Sequence, residues 1–350
     1  MIIERVLIVL TALLISVNIQ CPSAIAQDSN AADRIEVVKD GKRSQQLHIP
    51  LSEWYPKGKE PIGMILAIHG LTLHGNTYEV LGKAFAAEGF YACAPDMRGF
   101  GRCYTDDKGV FAVDGESKQR VNYDGSYADI VALAQSLKRE HPDLPLFAMG
   151  ESLGTSMCVK LAAEHPELVD GLILSGPTVK IHPIMILHPD NIVAVGWALT
   201  HPRFKMSTEG FVRNLVSNDP DIVEELLNDP LCRKGLTIPE LVSTKRFVRQ
   251  TLPNARKIRP ELPVLIVQGS EDRCMIPRAV TKLAARIHSS NQNIRWLHAH
   301  GHLLFETKYL APATLDAIDV WIGANSPAHE RELTAIKTEI LQLGGKEPRH

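Results

Sequence analysis

Gly150-Glu151-Ser152-Leu153-Gly154 is a G-x-S-x-G pentapeptide. It stands between an apolar run, Leu144 to Met149, and a stretch of helical spacing, Leu153 to Glu164. A serine on a sharp strand-to-helix turn presents its hydroxyl above a sheet, and the flanking glycines let backbone pass close by. The chemistry expected of Ser152 is nucleophilic attack on a carbonyl carbon. A hydroxyl is a weak nucleophile until a base takes its proton, so the serine predicts partners elsewhere in the chain.

Those partners are expected late, an acid first and a histidine after it. Gly269-Ser270-Glu271-Asp272 follows a buried run, Pro263 to Gln268. Asp272 is the candidate acid, with Glu271 its competitor; the acid would orient an imidazole and stabilise its cation. His298, His300 and His302 then crowd the end of the next run. His302 follows Gly301 in the loop beyond the strand and is the candidate base. His298 and His300 are two apart, which puts them on one side of an extended strand, packed or solvated. No carboxylate has a local spacing that would complete a metal site with these histidines, so no metal is expected. The oxyanion of a tetrahedral intermediate needs backbone N–H donors. Leu153, directly after the nucleophile, and Leu71, in the loop opened by His69-Gly70, are the candidates. His69 is expected to shape that loop. His74 is expected either to approach substrate or to lie solvated. The turn Asp96 to Gly101 is expected to be fixed by an internal ion pair.

The elements that must position these groups alternate. Arg34 to Lys39 and Ser44 to Leu51 are strand-like and joined by Asp40-Gly41, a hairpin signal. Met64 to His69, Phe90 to Ala94, Leu144 to Met149, Leu168 to Leu174 and Pro263 to Gln268 are continuous apolar runs, as expected of strands buried on both faces. Ile294 to Ala299 is the last expected strand. Helical spacing covers Tyr78 to Glu88, Tyr123 to Glu140, Leu153 to Glu164, Pro277 to Ile287 and Pro312 to Ile322. The alternation breaks between about Ile181 and Arg259, where helical stretches such as Asp221 to Leu227 and Ile238 to Thr251 are punctuated by prolines and no buried strand is evident. The pattern predicts an α/β fold: a mostly parallel central sheet, helices on both faces and an inserted helical cap above the strands' carboxyl ends.

The expected boundaries are 1–26 a signal peptide, 34–180 the first part of the core, 181–260 the cap, 261–325 the second part of the core and 326–350 a polar tail. Val6 to Val17 is apolar but short for a membrane span, and Ala24-Ile25-Ala26 before Gln27 is a small-x-small cleavage site. The chain is therefore expected to be secreted or periplasmic, with no stable membrane span after cleavage. A formal net charge of -2 gives no reason to expect nucleic acid as a partner. Cleavage would leave Cys93, Cys103, Cys158, Cys232 and Cys274, an odd number with no C-x-x-C pair. Cys93 and Cys158 sit in apolar runs and are expected in the core.

The set His69-Gly70, Asp96 to Gly101, Gly150 to Gly154, Asp272 and Gly301-His302 resembles the α/β-hydrolases of the monoacylglycerol lipase and lysophospholipase group, also described as serine aminopeptidase S33-like. Tyr78, Leu303, Leu304 and Glu306 also match, and the likeness covers roughly Ile62 to Ile322. The resemblance implies the triad Ser152, Asp272 and His302, a mobile helical cap and no cofactor. It implies a small ester as substrate, lipid-like in the manner of a monoacylglycerol or lysophospholipid. Glu151 departs from the pattern: many members have histidine there. Two rival functions share this fold, an S33-type peptidase or amidase and a non-catalytic binding protein.

Overall fold

The computed structural model describes residues 31–104, 120–179, 201 and 204–326. The expected signal peptide, the apolar cap segments 181–187 and 193–199, and the tail beyond Ser326 lie outside the described residues.

The strands are β1 (Ile35–Lys39), β2 (Leu51–Pro56), β3 (Gly63–Ile68), β4 (Phe90–Pro95), β5 (Leu146–Glu151), β6 (Gly171–Ser175), β7 (Lys205–Ser207), β8 (Gly235–Thr237), β9 (Val264–Gly269) and β10 (Gln292–Leu297). Eight of them form one sheet in the order β1-β2-β4-β3-β5-β6-β9-β10. β1–β2 and β2–β4 are antiparallel and the remaining pairs parallel. Every residue of β3, β5, β6 and β9 is buried, which is why they read as unbroken apolar runs. Successive side chains alternate between faces: Met64, Leu66 and Ile68 of β3 enter one core cluster, Ile65 and Ala67 the other.

The helices are α1 (Lys42–Leu47), α2 (Glu79–Ala87), α3 (Tyr123–Glu140), α4 (Leu153–Glu164), α5 (Pro220–Asn228), α6 (Ile238–Val248), α7 (Thr251–Ala255), α8 (Pro277–Ala284) and α9 (Pro312–Asn325). On one face of the sheet α3, α4 and α8 contribute Leu133, Met157 and Val280. On the other, α2 and α9 contribute Phe85, Ile318 and Trp321. The helix starts follow their caps. The Asn122 side chain accepts from Gly125 N at the head of α3. Thr237 and Glu240 form a reciprocal capping box on α6, with a proline in its first turn.

The simple hairpin expected over 34–51 does not form. β1 is followed by α1, and the strand that pairs with β1 is β2, which begins where the expected second arm ends. The reason is tertiary. Arg43 of α1 is buried, and its guanidinium reaches Ser136 Oγ (2.9 Å) and Glu140 Oε2 (2.7 Å) on α3. Asp40, at φ 53°, holds the two ends together by accepting from Leu51 N (2.9 Å) and Arg102 Nη1 (2.7 Å). The segment that begins past Ile181 also holds more than helices. β7 and β8 pair antiparallel, three residues each, too short to show a period.

Two apolar contacts help to seat this segment on the core. A small apolar cluster joins Val212, Val216, Ile222, Val223 and Leu226 to Leu73, Met275 and Leu303. α6 lies against α3, where Tyr123 stacks on Phe247 with ring centroids 4.9 Å apart. Cys93, Cys103, Cys158, Cys232 and Cys274 are buried and unpaired by disulfide. Among the described residues no helix is long and apolar enough to cross a membrane.

Candidate active site

The chain order moves from β3 outward to β4 on one side and then returns to β5 on the other. The carboxyl ends of β3 and β5 therefore flank the point where the winding direction reverses, the place where open α/β sheets bind ligands. His69-Gly70 follows β3, and Ser152 follows β5.

Ser152 has φ 51° and ψ -115°, a conformation that side chains seldom adopt. The turn is tightly determined around it. Ser152 N donates to Ser175 O (2.8 Å), and Ser152 O accepts from Thr155 N (3.1 Å) and Thr155 Oγ1 (2.5 Å). A Cβ on Gly154 would stand 1.9 Å from Ile68 O, so α4 meets the end of β3 only because that position has no side chain.

Asp272 and His302 come together. His302 Nδ1 is 2.8 Å from Asp272 Oδ2, with both side chains buried. Asp272 also accepts from Gln268 Nε2 (2.8 Å) and from the N–H groups of Cys274 (2.7 Å) and Met275 (2.9 Å). Burial raises the Asp272 carboxyl, but the His302 charge and these donors outweigh it and hold it below the usual carboxylate range. For His302, burial disfavours the cation, and Asp272, then Glu151, outweigh it and raise the imidazole. Asp272 can only accept, so Nδ1 carries the proton and Nε2 offers a lone pair. That Nε2 is buried and has no hydrogen-bond partner. The Ser152 hydroxyl is paired instead with Thr178 Oγ1, at 3.3 Å. Gly176, at φ 50°, lies under the ring, and a Cβ there would come 2.7 Å from His302 Cε1.

The histidine loop has two supports. His302 N and Leu303 N both donate to Val216 O of the inserted segment, each at 3.1 Å. On its other side Glu151 Oε1 accepts from Leu304 N (2.8 Å), and Glu151 Oε2 from Phe305 N (3.1 Å) and Glu306 N (3.0 Å).

The competing carboxylate, Glu271, bonds the Asn218 side-chain amide. His298 and His300 lie in the turn after β10, which ends at Leu297. His298 is exposed, and His300 Nδ1 contacts His298 O (2.7 Å). His69 Nε2 accepts from Met97 N (2.9 Å) while its Nδ1 contacts Gly70 O (2.8 Å); burial lowers its pKa to about 4, so the ring is neutral and shapes the loop. His74 is buried rather than solvated, with Nε2 3.0 Å from Asp229 Oδ2. The ion pair of the 96–101 turn reaches past it: Asp96 is held by Arg102 (2.8 Å), and Arg98 turns outward to Asp129 of α3 (2.7 Å).

Leu153 N is the first N–H of α4, with no intrahelical acceptor. Leu71 lies in a loop whose geometry is set by Glu306. That buried carboxyl accepts from Gly70 N at 2.8 Å and is 3.0 Å from Thr77 Oγ1. Sequence reasoning did not single out Gln268, Thr178 or Ser175, and only Gln268, four residues before the acid, was within reach of a spacing argument.

Residues 59–308 match the family described as serine aminopeptidase, S33. The chain is 26% identical over 279 residues to a monoacylglycerol lipase of Mycolicibacterium smegmatis, covering 77% of this chain and 90% of that protein. It is 24% identical over 275 residues to the monoglyceride lipase of Homo sapiens, covering 77% and 85%. In three dimensions it is similar to a soluble variant of monoglyceride lipase from Saccharomyces cerevisiae. That likeness has a TM-score of 0.67 at 19% identity, over 83% of this chain and 96% of the other.

Proposed function

The chain belongs to the serine aminopeptidase S33 family, in its monoacylglycerol lipase-like group of α/β-hydrolases, and on that premise we propose that it hydrolyses lipid-like carboxylic esters at Ser152. The observation that carries the reading is the Asp272–His302 pair, buried and fully hydrogen-bonded on the acid side, with the imidazole's other nitrogen unpaired. Rotation of the Ser152 hydroxyl from Thr178 towards Nε2 completes the constellation; such bonds often tighten only when substrate is bound.

His302 Nε2 takes the Ser152 proton as Oγ attacks the ester carbonyl. The N–H groups of Leu71 and Leu153 receive the oxyanion. The imidazolium, held by Asp272, then protonates the leaving alcohol. Water repeats the sequence to free the acid and restore Ser152. A monoacylglycerol or lysophospholipid is the proposed substrate class; the relatives at 26% and 24% identity, named monoacylglycerol lipase and monoglyceride lipase, support the first of these.

The family description also names an aminopeptidase activity. That reading needs an anionic group for a substrate ammonium. Glu151, Asp272 and Glu306, the buried carboxyls around the elbow, are already engaged by the chain's own donors, which favours the ester. The N-terminal segment is proposed to export the protein, with the mature chain starting at Gln27; N-terminal sequencing of the exported protein tests this.

A fluorophosphonate probe should label wild-type protein at Ser152, and parallel assays should show monoacylglycerol cleaved faster than an aminoacyl amide. Absence of label overturns the nucleophile assignment, and a preference for the amide overturns the substrate class. Activity should rise with pH as His302 loses its proton, with a midpoint above the ordinary histidine value of 6.5.

A further inference from the structure

The acyl-transfer scheme gives no part to the buried acid nearest the nucleophile in the chain. Glu151 directly precedes the nucleophile and has no exposed surface. Besides the three N–H groups of Leu304, Phe305 and Glu306, its Oε1 accepts from Ser175 Oγ at 2.6 Å. Consecutive N–H groups turned on one anion form a nest, here filled by the chain's own side chain. The three residues begin two positions after His302. One carboxylate thus ties the elbow, the end of β6 and the histidine loop together.

We infer that Glu151 is a positioning residue for His302: it holds the histidine loop against the nucleophile elbow and sets a second negative charge, beyond Asp272, on the imidazole. The inference rests on the triad reading above. Every backbone contact of Glu151 is a donor, so the ionised form is the one its surroundings satisfy. A histidine, which many members of the group have here, could accept through one nitrogen only and could not close three N–H groups.

The neighbouring acid, Glu306, is pushed the more strongly towards its protonated form. Burial, reinforced by the Glu151 charge, pushes Glu306 well above the carboxylate range. The Thr77 hydroxyl can donate to His74 O, at 2.6 Å, or to Glu306 Oε1, at 3.0 Å. Glu151 is raised too: burial outweighs the opposing Ser175 hydroxyl, His302 charge and loop N–H groups. The titratable groups facing this cluster are Asp272 and Cys274 beside His302, and Glu306 and Tyr78 beside Glu151.

The test is the pH profile of Glu151→Gln on a short-chain aryl ester, with the low-field proton resonance of the Asp272–His302 bond recorded alongside. The expected result is a kcat about tenfold lower, an acid limb of kcat/KM moved to lower pH by roughly half a unit or more, and a displaced resonance. Glu151→His keeps the test available if the glutamine disturbs folding, and the same direction of shift is expected. Labelled, folded variants whose acid limb and resonance match wild type overturn the inference alone: the carboxylate then only packs. Wild-type protein that takes no fluorophosphonate at Ser152 overturns the triad reading, and this inference with it.

Discussion

The sheet that carries Ser152 and the inserted segment that buttresses His302 are fastened in different ways. β3, β5, β6 and β9 bury every residue they contain, almost all of it hydrocarbon. The segment 204–237 has one modest apolar cluster, and its firmest footing is a buried cation. Arg233 is 2% exposed and donates to Glu240 (2.6 Å), Gly235 O (3.0 Å) and Gly99 O (2.9 Å), with its guanidinium over the Tyr104 ring at 4.2 Å. Its backbone N–H holds Thr72 O in the loop after β3 at 2.8 Å. Apolar burial tolerates no local opening but is indifferent to direction. A polar anchor is directional and comes undone when one partner is lost. The sheet is thus held by apolar burial and the inserted segment by a directional polar anchor.

The largest effect that sharpens this contrast is on chemistry without stability. Ser152→Ala should lower kcat on an aryl ester by about ten-thousand-fold or more while the melting temperature holds. A large fall in melting temperature would mean that the elbow is not independent of the chemistry it displays. Next, Arg233→Ala leaves Glu240 buried without its cation and should cost about 3–5 kcal/mol in urea unfolding. Hydrogen exchange in that variant should rise in 204–248 before it rises in β5; uniform exchange would break the comparison.

The His74–Asp229 contact should count for less. Burial raises the Asp229 carboxyl, the His74 hydrogen bond and charge outweigh this, and its pKa falls to about 2 from the ordinary 3.8. A depressed carboxylate stabilises the fold fully above its unfolded value, and the contribution is lost as pH falls from 3.8 through 2. Asp229→Asn should therefore cost about 1–2 kcal/mol at pH 6, discounted for partial exposure, and only about a few tenths of a kcal/mol at pH 2. Urea titrations at the two pH values check it. Smallest of all, Arg213 bridges Glu209 and Glu224 on the exposed side of the same segment. Arg213→Ala should leave the melting temperature unchanged.

The same contrast explains what could be read from the sequence. Buried parallel strands are continuous apolar runs, and they fixed β3 to β6 and β9 in order, with Ser152, Asp272 and His302 each just past a strand end. α1 escaped because Arg43 answers to Ser136 and Glu140, about ninety residues on, and local alternation carries no trace of that. β7 and β8 escaped because three residues hold no period. Glu151 was visible only as a departure from a resemblance. Apart from Ser175, its partners are backbone N–H groups, which nearly every residue has, so no side-chain pattern could announce them.

Among the described residues five thiols lie buried and unpaired by disulfide, and burial raises each of them above the ordinary value for cysteine. Cys232 and Cys274 belong to the seam between the inserted segment and the sheet, Cys93 and Cys158 to the deepest layer. An alkylating reagent reaches such groups only through openings of the fold, so the protein carries its own clocks. The order in which these positions are alkylated is a record, written by the native chain, of which part lets go first.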